Sequence, residues 1–116
     1  MRVVKFGGSS LADAERLMKA ARIAARHREE APVTAVVSAM AGVTDALLHA
    51  ARAALAGDPA WHDELTEVER RHRAAYLAIA GTVTERFERQ WQGCLGEAES
   101  LASGAGGQLS AALLEA

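Results

Sequence analysis

The sequence predicts an α/β protein whose N-terminal part is a βαβ unit and whose remainder is helical. Two short apolar runs, at residues 3–6 and 33–37, are separated by one segment with helical periodicity. A strand, a helix and a second strand in this order form a right-handed crossover unit with parallel strands. Beyond residue 37, apolar residues recur at helical spacing, and no third clear strand follows.

The first strand ends at the glycine pair Gly7-Gly8. The β-branched and aromatic residues before it, Val3, Val4 and Phe6, stand close together, which predicts a strand covered on both faces, as in a parallel sheet. Because glycine has no Cβ, the pair can adopt positive φ and let an anion approach its N–H groups. The turn is therefore a candidate phosphate-binding site.

A helix is predicted directly after this turn, from about residue 11 to residue 28. Ser10 stands at the expected N-cap position, with Asp13 completing a short capping box. Orphan N–H groups and the helix dipole would then favour a phosphate, and Lys5 would add a full positive charge. The residues alone leave a second interpretation open, since Gly-Gly-Ser-Ser is also a plain connection between a strand and a helix.

The second strand ends at Ser38, and Thr44 is predicted to cap the helix that follows. The carboxyl ends of two parallel strands meet at one edge of the sheet, where open α/β sheets bind their ligands. Both loops are therefore predicted to contribute to one site. Without further information, Ser38 is also explained as a strand-end hydroxyl and Thr44 as a helix cap.

Apolar residues at helical spacing predict three further helices after the second strand. Gly57 ends the first of them, Asp58-Pro59 opens the second, which runs up to Gly81, and Thr82 opens the third. The last two should pair as an antiparallel hairpin. The predicted segments are a βαβα part at residues 1–57, a helical hairpin at residues 58–102, and a glycine-rich loop with the start of a helix at residues 103–116.

No metal site is predicted from the sequence. Glu69 and His72 have the Glu-x-x-His spacing of carboxylate-bridged di-iron bundles, but such a site needs a second pair and further glutamates. His72 is better explained as a hydrogen-bonded histidine on the packed stripe of the hairpin. Cys94 lies on an apolar stripe and is predicted to be a small core residue.

Charge and composition exclude several classes of partner. The 13 basic and 15 acidic residues give a net charge of -2, so no basic face predicts binding to nucleic acid or to an anionic membrane. The single cysteine excludes an internal disulfide and fits a reducing compartment. No stretch approaches the roughly 20 apolar residues that cross a bilayer. We therefore expect a cytoplasmic protein.

Two motifs resemble the aspartate kinase family. Residues 4–16, VKFGGSSLADAER, are similar to the K-F-G-G-[ST]-S opening of that family. Residues 37–45, VSAMAGVTD, are similar to its V-S-A-M-x-x-V-T-[DN] motif. The resemblance implies the N-terminal βαβ part of an amino-acid kinase fold, which is carbamate kinase-like and would be incomplete in this chain.

The resemblance implies transfer of the γ-phosphoryl group of ATP to the side-chain carboxylate of L-aspartate, the first step towards lysine, threonine and methionine. Lys5 would be catalytic by stabilising charge on the transferred group, and Ser38 and Thr44 would bind the aspartate. The residues implied to bind the ATP phosphates are Lys5, Gly7, Gly8 and Ser9. Mg²⁺ would accompany ATP, with its protein ligands outside this chain.

Two positions depart from the family pattern, with Gly107 where the family has a glutamate and Gln108 where it has a basic residue. Aspartate kinases carry G-E-[RK]-[LM]-S, in which the glutamate contacts the amino group of the substrate. Alignment on Leu109-Ser110 places Gly107 at that glutamate, so another carboxylate such as Glu99 or Glu115 would have to substitute. Later residues that bind ATP and aspartate in the family fall beyond Ala116, and the chain alone is expected to be inactive.

We consider three hypotheses. The first is the N-terminal portion of an aspartate kinase, which associates with a C-terminal kinase segment or forms a homo-oligomer. The second is a pseudo-kinase module that acts through its helical hairpin as an interaction or regulatory protein. The third is a different amino-acid kinase, although the motif from Ser38 to Thr44 favours aspartate.

Overall fold

The computed structural model describes residues 1–105. That part of the chain confirms the mixed α/β class, with two strands and four α-helices, and it divides into two compact units at residues 1–44 and from residue 45 onward. No helix in this range combines the length and the apolar character that crossing a membrane requires. The elements are β1 (Arg2–Phe6), α1 (Ala14–Glu30), β2 (Val33–Val37), α2 (Val43–Leu55), α3 (Trp61–Ala80) and α4 (Glu85–Ala105).

In the first unit, β1 and β2 are parallel and α1 connects them, as predicted. The register runs from Arg2 opposite Val33 to Phe6 opposite Val37, and the backbone N–H of Arg2 donates to the carbonyl oxygen of Pro32 at 2.8 Å. Because the strands are parallel and in register, their carboxyl ends lie side by side. The loops that follow the two strands therefore start at the same edge of the sheet.

The prediction that the first strand is covered on both faces is wrong. Val3 is 63% exposed, and Val37 of β2 is 64% exposed. Parallel strands become buried when helices cover both faces of the sheet. Within residues 1–44 one α-helix packs on the two strands, and one helix cannot cover both faces.

The helix after the first turn starts later than predicted, and Ser10 is not its cap. A short 3₁₀ turn (Gly8–Leu11) lies between β1 and α1, and the backbone N–H of Ser10 donates to the carbonyl oxygen of Gly7 at 3.1 Å. Asp13 is the N-cap of α1, and its Oδ1 accepts a hydrogen bond from the backbone N–H of Arg16 at 2.9 Å. The glycine turn closes on itself, which leaves Ser10 inside the turn.

In the second unit, glycines end the helices where the sequence predicted. Gly57 follows α2 with a φ of 73°, and Gly81 ends α3 with a φ of 78°. The N–H of Gly81 donates to the carbonyl oxygen of Leu77 at 2.8 Å, which closes the last turn of α3. A small core lies between these helices and α4, and its buried residues are Ala50, Ala54, Trp61 and Leu65.

Helices α3 and α4 form the predicted antiparallel hairpin. The ring of Tyr76 stacks on Phe87 with centroids 4.1 Å apart, and that of His72 stacks on Trp91 with centroids 4.8 Å apart. His72 precedes Tyr76 on α3, whereas its partner Trp91 follows Phe87 on α4, so the two helices run antiparallel. His72 Nδ1 also lies 2.7 Å from the carbonyl oxygen of Val68, so this histidine is hydrogen-bonded as predicted.

Three details of the hairpin differ from the sequence predictions. Thr84, not Thr82, caps α4, because its Oγ1 accepts the backbone N–H of Phe87 at 3.2 Å. Helix α3 begins at Trp61, two residues after the predicted start. Cys94 is exposed, because the packed face of α4 passes through its neighbour Leu95.

Further sequence predictions concerned residues 103–116. Helix α4 continues through Ala105, so residues 103–105 belong to it and not to the predicted loop. Gly107, Leu109-Ser110 and Glu115 lie outside the described residues.

Candidate functional site

Two loops meet at the carboxyl edge of the sheet in the first unit. Phe6 pairs with Val37, so Gly7 and Ser38 are the first residues beyond the two strand ends. A Cβ atom built on Gly8 would lie 3.3 Å from the carbonyl oxygen of Ala39 and 3.8 Å from Cα of Ala41. The loop after β1 and the loop after β2 are therefore in direct contact.

Gly8 is needed for space and not for an unusual backbone conformation. The glycines with positive φ within residues 1–105 are Gly42, Gly57 and Gly81, so the expectation of positive φ in the Gly7-Gly8 pair is wrong. Gly7 has φ -78° and ψ 172°, which any residue can adopt, and a Cβ there would meet nothing within 4 Å. At Gly8 a side chain would press on the backbone of the second loop.

Lys5 lies on the exposed face of the sheet. It is the second-to-last residue of β1 and pairs with Val36 of β2. Side chains alternate along a strand, so Lys5 points away from the face on which Phe6 approaches α1. No hydrogen bond or ion pair within residues 1–105 engages the Lys5 side chain, and its ammonium charge is open to a ligand.

Ser9 is exposed and lies in the 3₁₀ turn that follows Gly7. Its carbonyl oxygen accepts a hydrogen bond from Nη1 of Arg16 at 2.9 Å, and the backbone N–H of Arg16 is held by Asp13. Arg16 therefore ties the glycine turn to the first turn of α1. Sequence reasoning missed this residue, and the signal that was available is the pair of basic residues Arg16 and Lys19, one helical turn apart, just after the turn.

Ser38 begins the second loop, and Thr44 follows that loop as the second residue of α2. Ser38 is exposed directly after β2. Thr44 is also exposed, but it is not the predicted cap, because α2 begins one residue earlier at Val43. The helix begins before Thr44 because Gly42 turns the chain with a φ of 82°. The N–H of Val43 then donates to the carbonyl oxygen of Met40 at 3.0 Å.

The described residues do not fit a protein-bound Mg²⁺. No group of three or more His, Cys, Asp or Glu side chains comes together within residues 1–105. Neither loop contains an acidic residue: the segments are Gly7-Gly8-Ser9-Ser10 and Ser38-Ala39-Met40-Ala41-Gly42. Carboxylates are the usual protein ligands of Mg²⁺.

The shifted pKa values belong to ion pairs of α3 and α4. A hydrogen bond from Arg73 lowers the pKa of the Glu88 carboxyl group, and one from Arg70 lowers that of Glu67. Arg73 also bonds Glu69 with an N–O distance of 2.9 Å, so it bridges the two helices of the hairpin. The pair of Arg70 and Glu67 is exposed within α3, and the bonds of Arg73 join α3 to α4, so we read both as structural interactions of the hairpin.

Comparison with known families extends the similarity beyond the two motifs. A family model described as the amino acid kinase family matches residues 1–116. No curated protein matches the chain. The family match therefore includes the helical hairpin as well as the two loops at the sheet edge.

Proposed function

The chain belongs to the amino acid kinase family, and we propose that it is the N-terminal portion of an aspartate kinase. The γ-phosphoryl group of ATP would pass to the side-chain carboxylate of L-aspartate. One observation carries the proposal: the glycine turn and the serine loop touch at one edge of the sheet, with Ala39 against Gly8. The segment VSAMAGVTD, which contains the second loop, supports aspartate as the acceptor.

The glycine turn and Lys5 would bind the transferred group. Phosphoryl transfer depends mostly on positioning and on neutralising phosphate charge. A carboxylate oxygen of aspartate would attack the γ-phosphorus, the bond from that phosphorus to the bridging oxygen would break, and ADP would leave. Lys5 would stabilise the charge on the equatorial oxygens, and the backbone N–H groups of Gly7, Gly8 and Ser9 would cradle them.

The second loop would orient the acceptor. Ser38 and Thr44 are both exposed, and each hydroxyl can donate one hydrogen bond to a carboxylate. A neutral donor positions the aspartate while leaving lone pairs on its carboxylate free for the attack. Discrimination against a longer acceptor would then depend on the distance between this loop and the glycine turn.

Magnesium would accompany ATP as its counter-ion, but the described residues supply no set of ligands for it. We assign no step through the metal to this chain. In our proposal, the metal ligands and the carboxylate that meets the amino group of aspartate come from an associated kinase segment.

The test is an assay for acyl phosphate, trapped with hydroxylamine, using ATP and L-aspartate. The chain is assayed alone and mixed with the C-terminal segment of an aspartate kinase. We expect turnover in the mixture and a loss of at least about 100-fold in Lys5→Ala, as for removal of one group that stabilises transition-state charge. Arg28→Ala, which removes a charge from the far end of α1, should leave turnover unchanged.

Two results would contradict this proposal. Full turnover in Lys5→Ala would remove Lys5 from the mechanism. A preference for L-glutamate or another carboxylate acceptor over L-aspartate would assign the chain to a different amino acid kinase.

A second candidate function is that of an interaction or regulatory module. It is favoured by the apolar side chains that the hairpin leaves exposed, which are Leu77, Ile79 and Leu101. A stable stoichiometric complex with an intact kinase, without any gain in turnover, would support this candidate over the first.

A further inference from the structure

A cleft of about 280 Å³ lies between the end of β1 and the first half of α1. Two of its lining residues are basic, two carry hydroxyl groups, and none is acidic. This is notable in a chain whose net charge is -2. The lining residues are Phe6, Ser9, Ser10, Arg16, Lys19, Ala20 and Ile23.

The guanidinium group of Arg16 is held in position at this cleft. Its Nη1 donates to the carbonyl oxygen of Ser9 at 2.9 Å, and Asp13 fixes its backbone N–H at the N-cap of α1. A guanidinium group has five N–H donors. The bond to Ser9 therefore orients the side chain and leaves further donors for a ligand.

Lys19 lies one helical turn after Arg16, on the same face of α1. Its side chain forms no hydrogen bond or ion pair with any residue of the described part of the chain. Two like charges at this spacing destabilise a helix, and an anion between them would remove that repulsion. The hydroxyl groups of Ser9 and Ser10 add two neutral donors to the lining of the cleft.

We propose that this cleft binds a small phosphate monoester. Arg16, Lys19 and the two serine hydroxyls would contact the phosphate, and Phe6, Ala20 and Ile23 would contact the apolar part of the ligand. Pockets for drug-sized ligands measure about 300–1,000 Å³, so this cleft suits a ligand smaller than a nucleotide. The cleft shares Ser9 with the phosphate site proposed for ATP, but Lys5, Gly7 and Gly8 do not line it, and Lys5 lies on the other face of the sheet.

The experiment is a titration of the 116-residue chain, followed by amide NMR shifts. The probes are inorganic phosphate and phenyl phosphate, and potassium chloride of matched ionic strength is the blank. We expect saturable shifts at Ser9, Ser10, Arg16 and Lys19, with phenyl phosphate binding more tightly because its ring contacts the apolar wall. Shifts that never saturate would overturn the proposal, and tighter binding of free phosphate would overturn the monoester assignment.

Two matched variants distinguish phosphate binding in the cleft from non-specific attraction to positive charge on α1. Lys19→Met removes the charge and keeps the side-chain length, and it should weaken phosphate binding by roughly three- to tenfold, the range for one charge-assisted hydrogen bond at a partly exposed site. Arg22→Met removes the same charge from the next turn of α1, outside the cleft, and should leave the affinity unchanged. Equal losses in the two variants would contradict the proposal.

Lys5→Ala distinguishes phosphate binding in the cleft from the proposed binding of ATP. We expect it to leave phosphate binding in the cleft unchanged, even if it abolishes phosphoryl transfer. Loss of phosphate binding in Lys5→Ala would place the anion on the other face of the sheet and overturn the cleft assignment.

Discussion

Val68 in α3 is 7% exposed, whereas Val37 in β2 is 64% exposed, although both are valines inside regular secondary structure. The difference follows from the two units in which they lie. In the hairpin, the helices pack on one another and bury side chains such as Val68, although Leu77, Ile79 and Leu101 stay exposed. In the βαβ unit, one helix meets two strands, and part of the sheet surface stays open. The candidate site therefore lies at the edge of a sheet that is only partly covered.

The lysines near the glycine turn differ from Arg73 of the hairpin, although the first unit also holds an ion pair between Arg2 and Glu30. Arg73 in the hairpin is bound by Glu69 and by Glu88. In the βαβ unit, Lys5 and Lys19 have no side-chain partner within the described residues. Paired charges stabilise packing, and unpaired charges beside a glycine turn remain available to an anion. We therefore look for ligands in the first unit and for structural interactions in the second.

The same substitution in both units should give the largest contrast. Val68→Thr places a hydroxyl in a packed helical interface and should lower the free energy of unfolding by about 1–2 kcal/mol. Val37→Thr places it in solvent on a strand and should change this free energy by less than about 0.5 kcal/mol. Urea titrations followed by tryptophan fluorescence measure Val68→Thr directly, since both tryptophans lie in α3 and α4. Amide exchange of the β1 and β2 ladder measures Val37→Thr, and equal effects would contradict the comparison.

A smaller contrast lies within the glycine turn. Gly8→Ala brings a Cβ to 3.3 Å from the carbonyl oxygen of Ala39 and should destabilise the contact between the two loops by about 1 kcal/mol. Gly7→Ala meets nothing within 4 Å and should be neutral or slightly stabilising. Hydrogen exchange of the β1 and β2 ladder amides measures both variants. Equal exchange in the two would show that the loops are not in contact at Gly8.

The smallest expected effect concerns pH and the hairpin. The hydrogen bond from Arg73 lowers the pKa of Glu88 in the folded state, so this carboxylate contributes stability above the ordinary glutamate pKa of about 4.3. That contribution is lost as the pH falls through the lowered value. Glu88→Gln should therefore flatten the acid-side decline in stability, measured by tryptophan fluorescence, while the exposed Glu97→Gln should leave it intact. An unchanged decline in Glu88→Gln would exclude this carboxyl group as its source.

The sequence predicted the elements that depend on local patterns. The second strand has the predicted bounds, and Gly57 and Gly81 end helices because few other residues adopt positive φ. The first residues of the helices were harder to predict, because several residues that can cap a helix stand close together at each start. Whether Ser10 or Asp13, or Thr82 or Thr84, becomes the cap depends on how the preceding turn closes, and spacing does not specify that.

The candidate site was predictable only where it depends on the order of the strands and helices. Parallel strands bring Gly7 and Ser38 to one edge of the sheet, and this follows from the order of the elements. The contact between Gly8 and Ala39 and the hydrogen bond from Arg16 to Ser9 depend on packing between distant residues. Such contacts leave no periodic signal in the sequence.

We propose that the two loops form part of a nucleotide site that uses Lys5. A thermal melt of the chain, with and without ATP, Mg²⁺ and L-aspartate, tests it most directly. Amide exchange of the β1 and β2 ladder under the same conditions follows the first unit, and inorganic phosphate controls for binding in the Arg16 and Lys19 cleft. Ligand at about 100 times its Kd stabilises a native state by roughly 2.7 kcal/mol, which raises the Tm of a domain of this size by about 10 °C.

Our account predicts a cooperative melt that shifts upward with ATP in the unmodified chain and does not shift in Lys5→Ala. A Tm that does not change with ATP, or one that rises equally in Lys5→Ala, would contradict this proposal.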